Sequence, residues 1–294
     1  MDGQPAIEWL AFERTSFREP FFEQTAARVR TLPANAFAHV ITPLGALDVF
    51  ADAPPPDGLV LHMSRCGSTL VSRMLDAAPN HICLSEPPIF DTVLQMALCG
   101  IVPEHTVRLM AGALLRFRDK AITRGFLKLD SWHTLALPLL QRVLPDTAWV
   151  FLARHPGEVL ASQARRPGMF VHKGAVRWET FGLTGADAVE AAEFPGWIIH
   201  QIAAAAAGYG DDQLTLFVDY DDLPGAALTR ILPHFGITPD ARMESLMRSA
   251  AARNSKSPEE FFTDDRAAKR AQAALSIQVP AGLAASYDRL RSLT

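Results

Sequence analysis

"LVLHMSRCGSTLVSRML", residues 59–75, starts as an apolar run, breaks at Ser64-Arg65-Cys66-Gly67-Ser68-Thr69, and returns from Leu70 to helical spacing. A strand, a tight turn of small residues and a helix start follow in that order. This geometry aims backbone N–H groups and the positive end of a helix dipole at an anion. Gly67 lets the backbone approach closely, the Arg65 guanidinium offers a bidentate fork to an oxyanion, and Ser68 and Thr69 carry hydroxyls that can donate. Clusters of Ser, Gly and Thr also occur at ordinary strand-to-helix turns, so the stretch acquires meaning only with partners elsewhere in the chain.

The surrounding sequence supplies the frame. Short apolar runs, "GLVLHM", "HICL", "GFLKLD" (125–130), "TAWVFLA" (147–153) and "QLTLFV" (213–218), alternate with amphipathic segments. That alternation predicts an α/β fold: a mostly parallel, doubly wound sheet flanked by helices, with a helical C-terminal part. Ligands in such sheets bind beyond the carboxyl ends of the strands. The rule selects the turn after Met63, "SEPP" after Leu84, the residues from Lys128 to Trp132, and "RHPGE" after Ala153.

"ADAPPPDG" (51–58) reads as a linker, so residues 1–57 form an N-terminal extension and 58–294 the main domain. In the extension Ser16 and Glu19 make a capping-box pattern, with Pro20 in the first turn of a helix running into "FFEQTAARVR". "FAHVIT" and "LDVF", separated by Pro43-Leu44-Gly45, suggest a hairpin.

Composition limits the partners. The chain has 294 residues, 49% of them apolar and 20% charged, with 28 basic against 32 acidic side chains and a net charge of −4. That balance argues against nonspecific nucleic-acid binding, so any anion site is local. Three cysteines, Cys66, Cys83 and Cys99, have no paired spacing, and no Cys/His cluster has zinc spacing. Cys66 reads as a small turn residue whose thiol a helix N-terminus could activate. The N-terminal residues lack a signal-peptide pattern, and "WIIHQIAAAAAG" (197–208) is too short for a bilayer span. These features predict a cytoplasmic protein with no membrane span.

The turn does not match the nucleoside-triphosphate pattern G-x-x-x-x-G-K-S/T: Ser68 follows Gly67, and no glycine stands five residues before it. Its second half lies in "WVFLARHPGEVLASQ", where Arg154 ends a predicted strand and Ser162 follows eight residues later. With both pieces in hand the chain resembles the sulfotransferase family, which takes sulfuryl groups from 3′-phosphoadenylyl sulfate on a P-loop nucleotide-binding fold. Arg65-Cys66-Gly67-Ser68-Thr69 is similar to the family's Lys/Arg-Ser/Thr-Gly-Ser/Thr-Ser/Thr core, with Cys66 departing from it. Arg154 and Ser162 reproduce the family's Arg and Ser separated by seven residues. "FVDYDDLPGAALTRILPHFGI" (217–237) resembles a later segment, and "RNSKSP" stands where members place a basic loop. The similarity covers roughly residues 58–265.

The resemblance implies roles. Arg65 and the backbone from Cys66 through Gly67, Ser68 and Thr69 to Leu70 would hold the 5′-phosphosulfate. Arg154 and Ser162 would hold the 3′-phosphate, and Lys256 would reach the nucleotide. Lys128 would face the bridging or sulfuryl oxygen. In cytosolic members a catalytic His follows such a lysine by two residues, where this chain has Asp130. In the branch acting on glycans and proteins a glutamate after the first helix is the base, which points to Glu86. Glu86 is therefore the leading candidate base, with Asp130 and His133 as alternatives and helix capping as the plain reading of Glu86. The acceptor would be a hydroxyl or amine of a small molecule, lipid or glycan, bounded by the Gly-rich stretch 165–185, and no metal is expected. An ATP-using phosphotransferase and a noncatalytic nucleotide-binding protein are the competing readings.

Overall fold

The computed structural model describes residues 5–12, 17, 19–116, 121–252 and 278–294. Lys256 and Ser16 lie outside them. Each of the five apolar runs forms a strand. These are β3 (Gly58–His62), β4 (His81–Ser85), β5 (Arg124–Lys128), β6 (Trp149–Ala153) and β7 (Thr215–Asp219), after two strands of the N-terminal extension, β1 (Ala6–Trp9) and β2 (Val40–Pro43). The five pair in parallel in the order β4-β5-β3-β6-β7. Every residue of β3, β4 and β6 is buried, as expected of parallel strands covered on both faces. This is why they read as continuous apolar runs rather than as alternations.

The extension carries α1 (Phe22–Arg30) and α2 (Pro33–Phe37). Along the main domain come α3 (Ser68–Asp76), α4 (Pro88–Leu98), α5 (His105–Leu114), α6 (Leu137–Val143), α7 (Pro156–Arg165) and α8 (Phe194–Ala207). After β7 follow α9 (Leu232–His234), α10 (Ala241–Ala251) and α11 (Ala281–Ser292). Helix α3 packs on β4 and is covered by α10, while α8 packs with α11, which also touches β7. Among the described residues no helix is long and apolar enough to cross a membrane.

Two expectations for the extension need correction. The hairpin does not form: β2 pairs antiparallel with β1, and Leu44–Phe50, including "LDVF", is a 3-10 helix. Its Leu47 is buried in the main core and Phe50 stacks on Trp9 at 5.9 Å, so the apolar residues of this stretch serve a helical face. The helix of the extension starts later than the capping-box pattern suggests, with Phe21 at its N-cap. Glu19 instead accepts hydrogen bonds from Thr25 Oγ1 (2.6 Å) and Arg28 Nε (2.7 Å).

Candidate active site

The turn after β3 is wound through the left-handed region. Ser64, Arg65 and Gly67 have φ of 76°, 54° and 83°. Side chains rarely adopt such values, so neighbours must hold the first two in place. Three do so. Ser64 N–H donates to His62 Nδ1 (3.1 Å), Gln163 Nε2 from α7 donates to Ser64 Oγ (2.9 Å), and Arg154 Nη1 donates to the Arg65 carbonyl (3.1 Å). Gly67 is required twice over, since a Cβ there would also stand 2.8 Å from Leu223 Cδ1 and 3.0 Å from the Tyr220 ring.

Gly67 is the N-cap of α3, and no side chain caps it. The first intrahelical bond runs from Val71 N–H to the Gly67 carbonyl (3.1 Å). Leu70 lies in this first turn, where the leading N–H groups lack intrahelical acceptors. The hydroxyls of Ser68 and Thr69 have no hydrogen-bond partner among the described residues, although both residues are buried. The Cys66 expectation is corrected in one respect: the thiol is fully buried and burial pushes it up to about 12, away from activation.

Arg154 occupies the single residue between β6 and the His155 N-cap of α7, where Pro156 starts the helix. Its Nε donates to the buried carboxylate of Glu158 (2.6 Å), one helical turn on, and its guanidinium lies 4.1 Å from the centre of the Tyr220 ring. Nη2 is left without a hydrogen-bond partner among the described residues. Ser162 is half-buried in the following turns of α7. Arg65 sends its own Nη2 to the Arg166 carbonyl just past that helix.

At the ends of β4 and β5 the ionisable groups converge. Lys128 is buried, its ammonium contacts Glu86 Oε1, and it sits 5.5 Å from the Phe21 ring of the extension. Glu86 itself has φ 51°, donates its N–H to the Lys128 carbonyl (2.7 Å), and does not cap α4. His62 Nε2 stands 3.5 Å from the same carboxylate oxygen. Burial pushes the His62 ring down and the Lys128 charge pushes it further, so it is neutral. With Nδ1 accepting from Ser64, the proton sits on Nε2 and faces Glu86. Burial alone would raise the Glu86 carboxyl, but Lys128 and His62 together hold it well below the usual carboxylate range.

Asp130 behaves in the opposite way. Its side chain is 13% exposed, its carboxylate has no hydrogen-bond partner among the described residues, and burial raises it to about 7, helped by Glu86 and Asp91 and opposed by His133 and Lys128. Beside it, Asp91 of α4 accepts from His133 Nε2 (2.7 Å), Trp132 Nε1 (3.0 Å) and Gln95 Nε2 (2.7 Å).

The fold therefore joins Arg65 through Thr69 to Arg154, and Lys128 to Glu86, with Asp130 at the end of the same strand. Sequence reasoning did not single out His62, Asp91, Gln163 or Phe21. Glu158 was legible as the i+4 partner of Arg154. Gln163, directly after Ser162, carries no such signal, because its link to Ser64 spans 99 residues.

No protein-family model matches the sequence, and no curated protein matches it either. Solved structures do match. The sulfotransferase domain of the Synechococcus PCC 7002 olefin synthase superposes with a TM-score of 0.50 at 17% identity, covering 82% of this chain and 94% of that one. The sulfotransferase domain of the curacin biosynthetic pathway gives the same TM-score at 13% identity, over 82% and 97% of the two chains. The chain has the fold of sulfotransferase domains, a mostly parallel five-stranded sheet flanked by helices.

Proposed function

We propose that this protein is a sulfotransferase that uses 3′-phosphoadenylyl sulfate as donor and transfers its sulfuryl group to a hydroxyl or amine of a small-molecule, lipid or glycan acceptor. One observation carries the reading: the uncapped, left-handed turn from Ser64 to Gly67 is latched by Arg154, whose Nη2, without a hydrogen-bond partner among the described residues, and whose stacking on Tyr220 suit it to a second anion nearby. A donor with phosphate groups at both ends of its ribose matches two such positions. The donor supplies an activated sulfur–oxygen bond when bound. The chain's part is to hold its phosphates with Arg65, the N–H groups from Cys66 to Leu70, the Ser68 and Thr69 hydroxyls, Arg154, Ser162 and Lys256. Lys128 would face the bridging or sulfuryl oxygen, and its contact with Glu86 fixes the direction of its ammonium.

Titration calorimetry with adenosine 3′,5′-bisphosphate, AMP and Mg-ATP tests the reading. Binding selective for the bisphosphate, weakened at least tenfold in Arg154→Lys, is the expected outcome, because lysine keeps the charge and loses the planar fork. Binding of Mg-ATP alone, or of none of the three, overturns it.

A further inference from the structure

The cluster at the ends of β4 and β5 holds three carboxylates, two imidazoles and one ammonium, and the hydrogen bonds sort them by availability. Glu86 is committed to Lys128 and faced by His62. Asp91 accepts from three N–H donors, His133 and Trp132 on Oδ1 and Gln95 on Oδ2. His133 is buried, and its Nε2–H is spent on Asp91, so its neutral form has only Nδ1 as acceptor, enclosed in protein without a partner. Among the described residues Asp130 is the one of the three whose carboxylate accepts no hydrogen bond, and its side chain, 13% exposed against 21% for Glu86 and Asp91, keeps a narrow edge to solvent just past β5. His133 Nε2 lies 4.0 Å from Asp130 Oδ2, and His133 N–H donates to the Asp130 carbonyl (3.0 Å), so the ring sits beside the carboxylate without occupying its lone pairs.

Building on the sulfotransfer reading, we propose that Asp130 accepts the acceptor's proton, that the Asp91–His133 pair is the positioning device that sets when it does so, and that Glu86 serves as the partner of Lys128. In this step the acceptor's O–H or N–H bond breaks and the proton passes to the Asp130 carboxylate. The freed electron pair forms the bond to sulfur, and the sulfur–oxygen bond to the donor's phosphate breaks with its electron pair leaving on the adenosine bisphosphate. Asp130 then returns the proton to solvent through its exposed edge.

Among the described residues the charged or titratable groups acting on Asp130 are His133 on the turn that follows it, Lys128 on β5, Glu86 after β4 and Asp91 on α4. A base acts best when its affinity for protons lies near the working pH, which burial gives Asp130 and which the lysine–glutamate pairing denies Glu86.

The test uses the full chain with carboxyl-detected NMR titration, Asp130→Asn supplying the assignment. The Asp130 midpoint is expected at about 7. It should rise in His133→Gln, which removes a group favouring the charged form, and fall in Glu86→Gln, which removes a negative neighbour. In parallel, release of adenosine 3′,5′-bisphosphate from the donor, with water and with phenol as acceptors, should follow the same midpoints. Asp130→Asn should slow that release about 10²–10⁴-fold, with bisphosphate affinity by calorimetry changed less than about threefold. An Asp130 midpoint below about 5, or an Asp130→Asn variant with parental release, overturns the assignment while leaving sulfotransfer standing. A parent chain that neither binds the bisphosphate nor cleaves the donor overturns both.

Discussion

Glu86 and Asp130 are carboxylates of one crevice whose surroundings push their proton affinities apart. The ammonium of Lys128 outweighs burial at Glu86, and nothing of that strength reaches Asp130. The difference has a consequence for stability. A carboxyl raised from 3.8 to about 7 by folding binds its proton more tightly in the folded state, so its contribution to stability declines as pH rises through that window. Asp130→Asn removes this decline. Its stability relative to the parent should therefore improve between pH 4 and 8, by up to about 4 kcal/mol. Urea unfolding at the two pH values measures it, and a pH-independent difference would contradict the burial argument. Glu86 acts with the opposite sign: its stabilisation is present above the ordinary glutamate range and disappears as pH falls.

The element that organises the site is the turn between β3 and α3. Its left-handed backbone exists because His62, Gln163 and Arg154 hold it from three directions, before any ligand is considered. Gly67→Ala would combine a left-handed alanine with a Cβ pressed against Leu223 and Tyr220. The expected cost is about 2–5 kcal/mol, from the left-handed backbone and the overpacking together, toward the lower end where side chains give way. Because Tyr220 is the ring stacked on Arg154, bisphosphate affinity should fall as well. Thermal unfolding and calorimetry on the same variant check both. The turn's existence was legible in "SRCGST", and the His62 latch is local, two residues before Ser64, whereas the Gln163 and Arg154 latches lie 99 and 89 residues along the chain from their partners and carry no local signal.

At the scale of the whole molecule, distant segments close around the sheet. Phe21 of the extension faces Lys128. Tyr287 of α11 donates to Asp219 Oδ2 at the end of β7 (2.7 Å), and both residues are buried. Tyr287→Phe leaves that oxygen without its phenolic donor and should cost about 1–3 kcal/mol in urea unfolding. A neutral result would mean that water or another donor replaces the hydroxyl.

The sheet was legible because parallel strands covered on both faces leave continuous apolar runs, with burial complete in β3, β4 and β6 and over the last three residues of β5 and β7. The "LDVF" hairpin failed for the converse reason: a short mixed run is compatible with a strand or a helical turn, and packing of Leu47 and Phe50 decided between them. The sequence by itself determined the parallel α/β architecture, the strand–turn–helix around Gly67 and the residues at the strand ends, because hydrophobic period and small-residue turns act over a few neighbouring positions. Only the tertiary structure decided which carboxylate is free and which is spoken for. That choice rests on burial and on partners such as Lys128 and Glu86, 42 residues apart, whose fields act through space rather than along the chain.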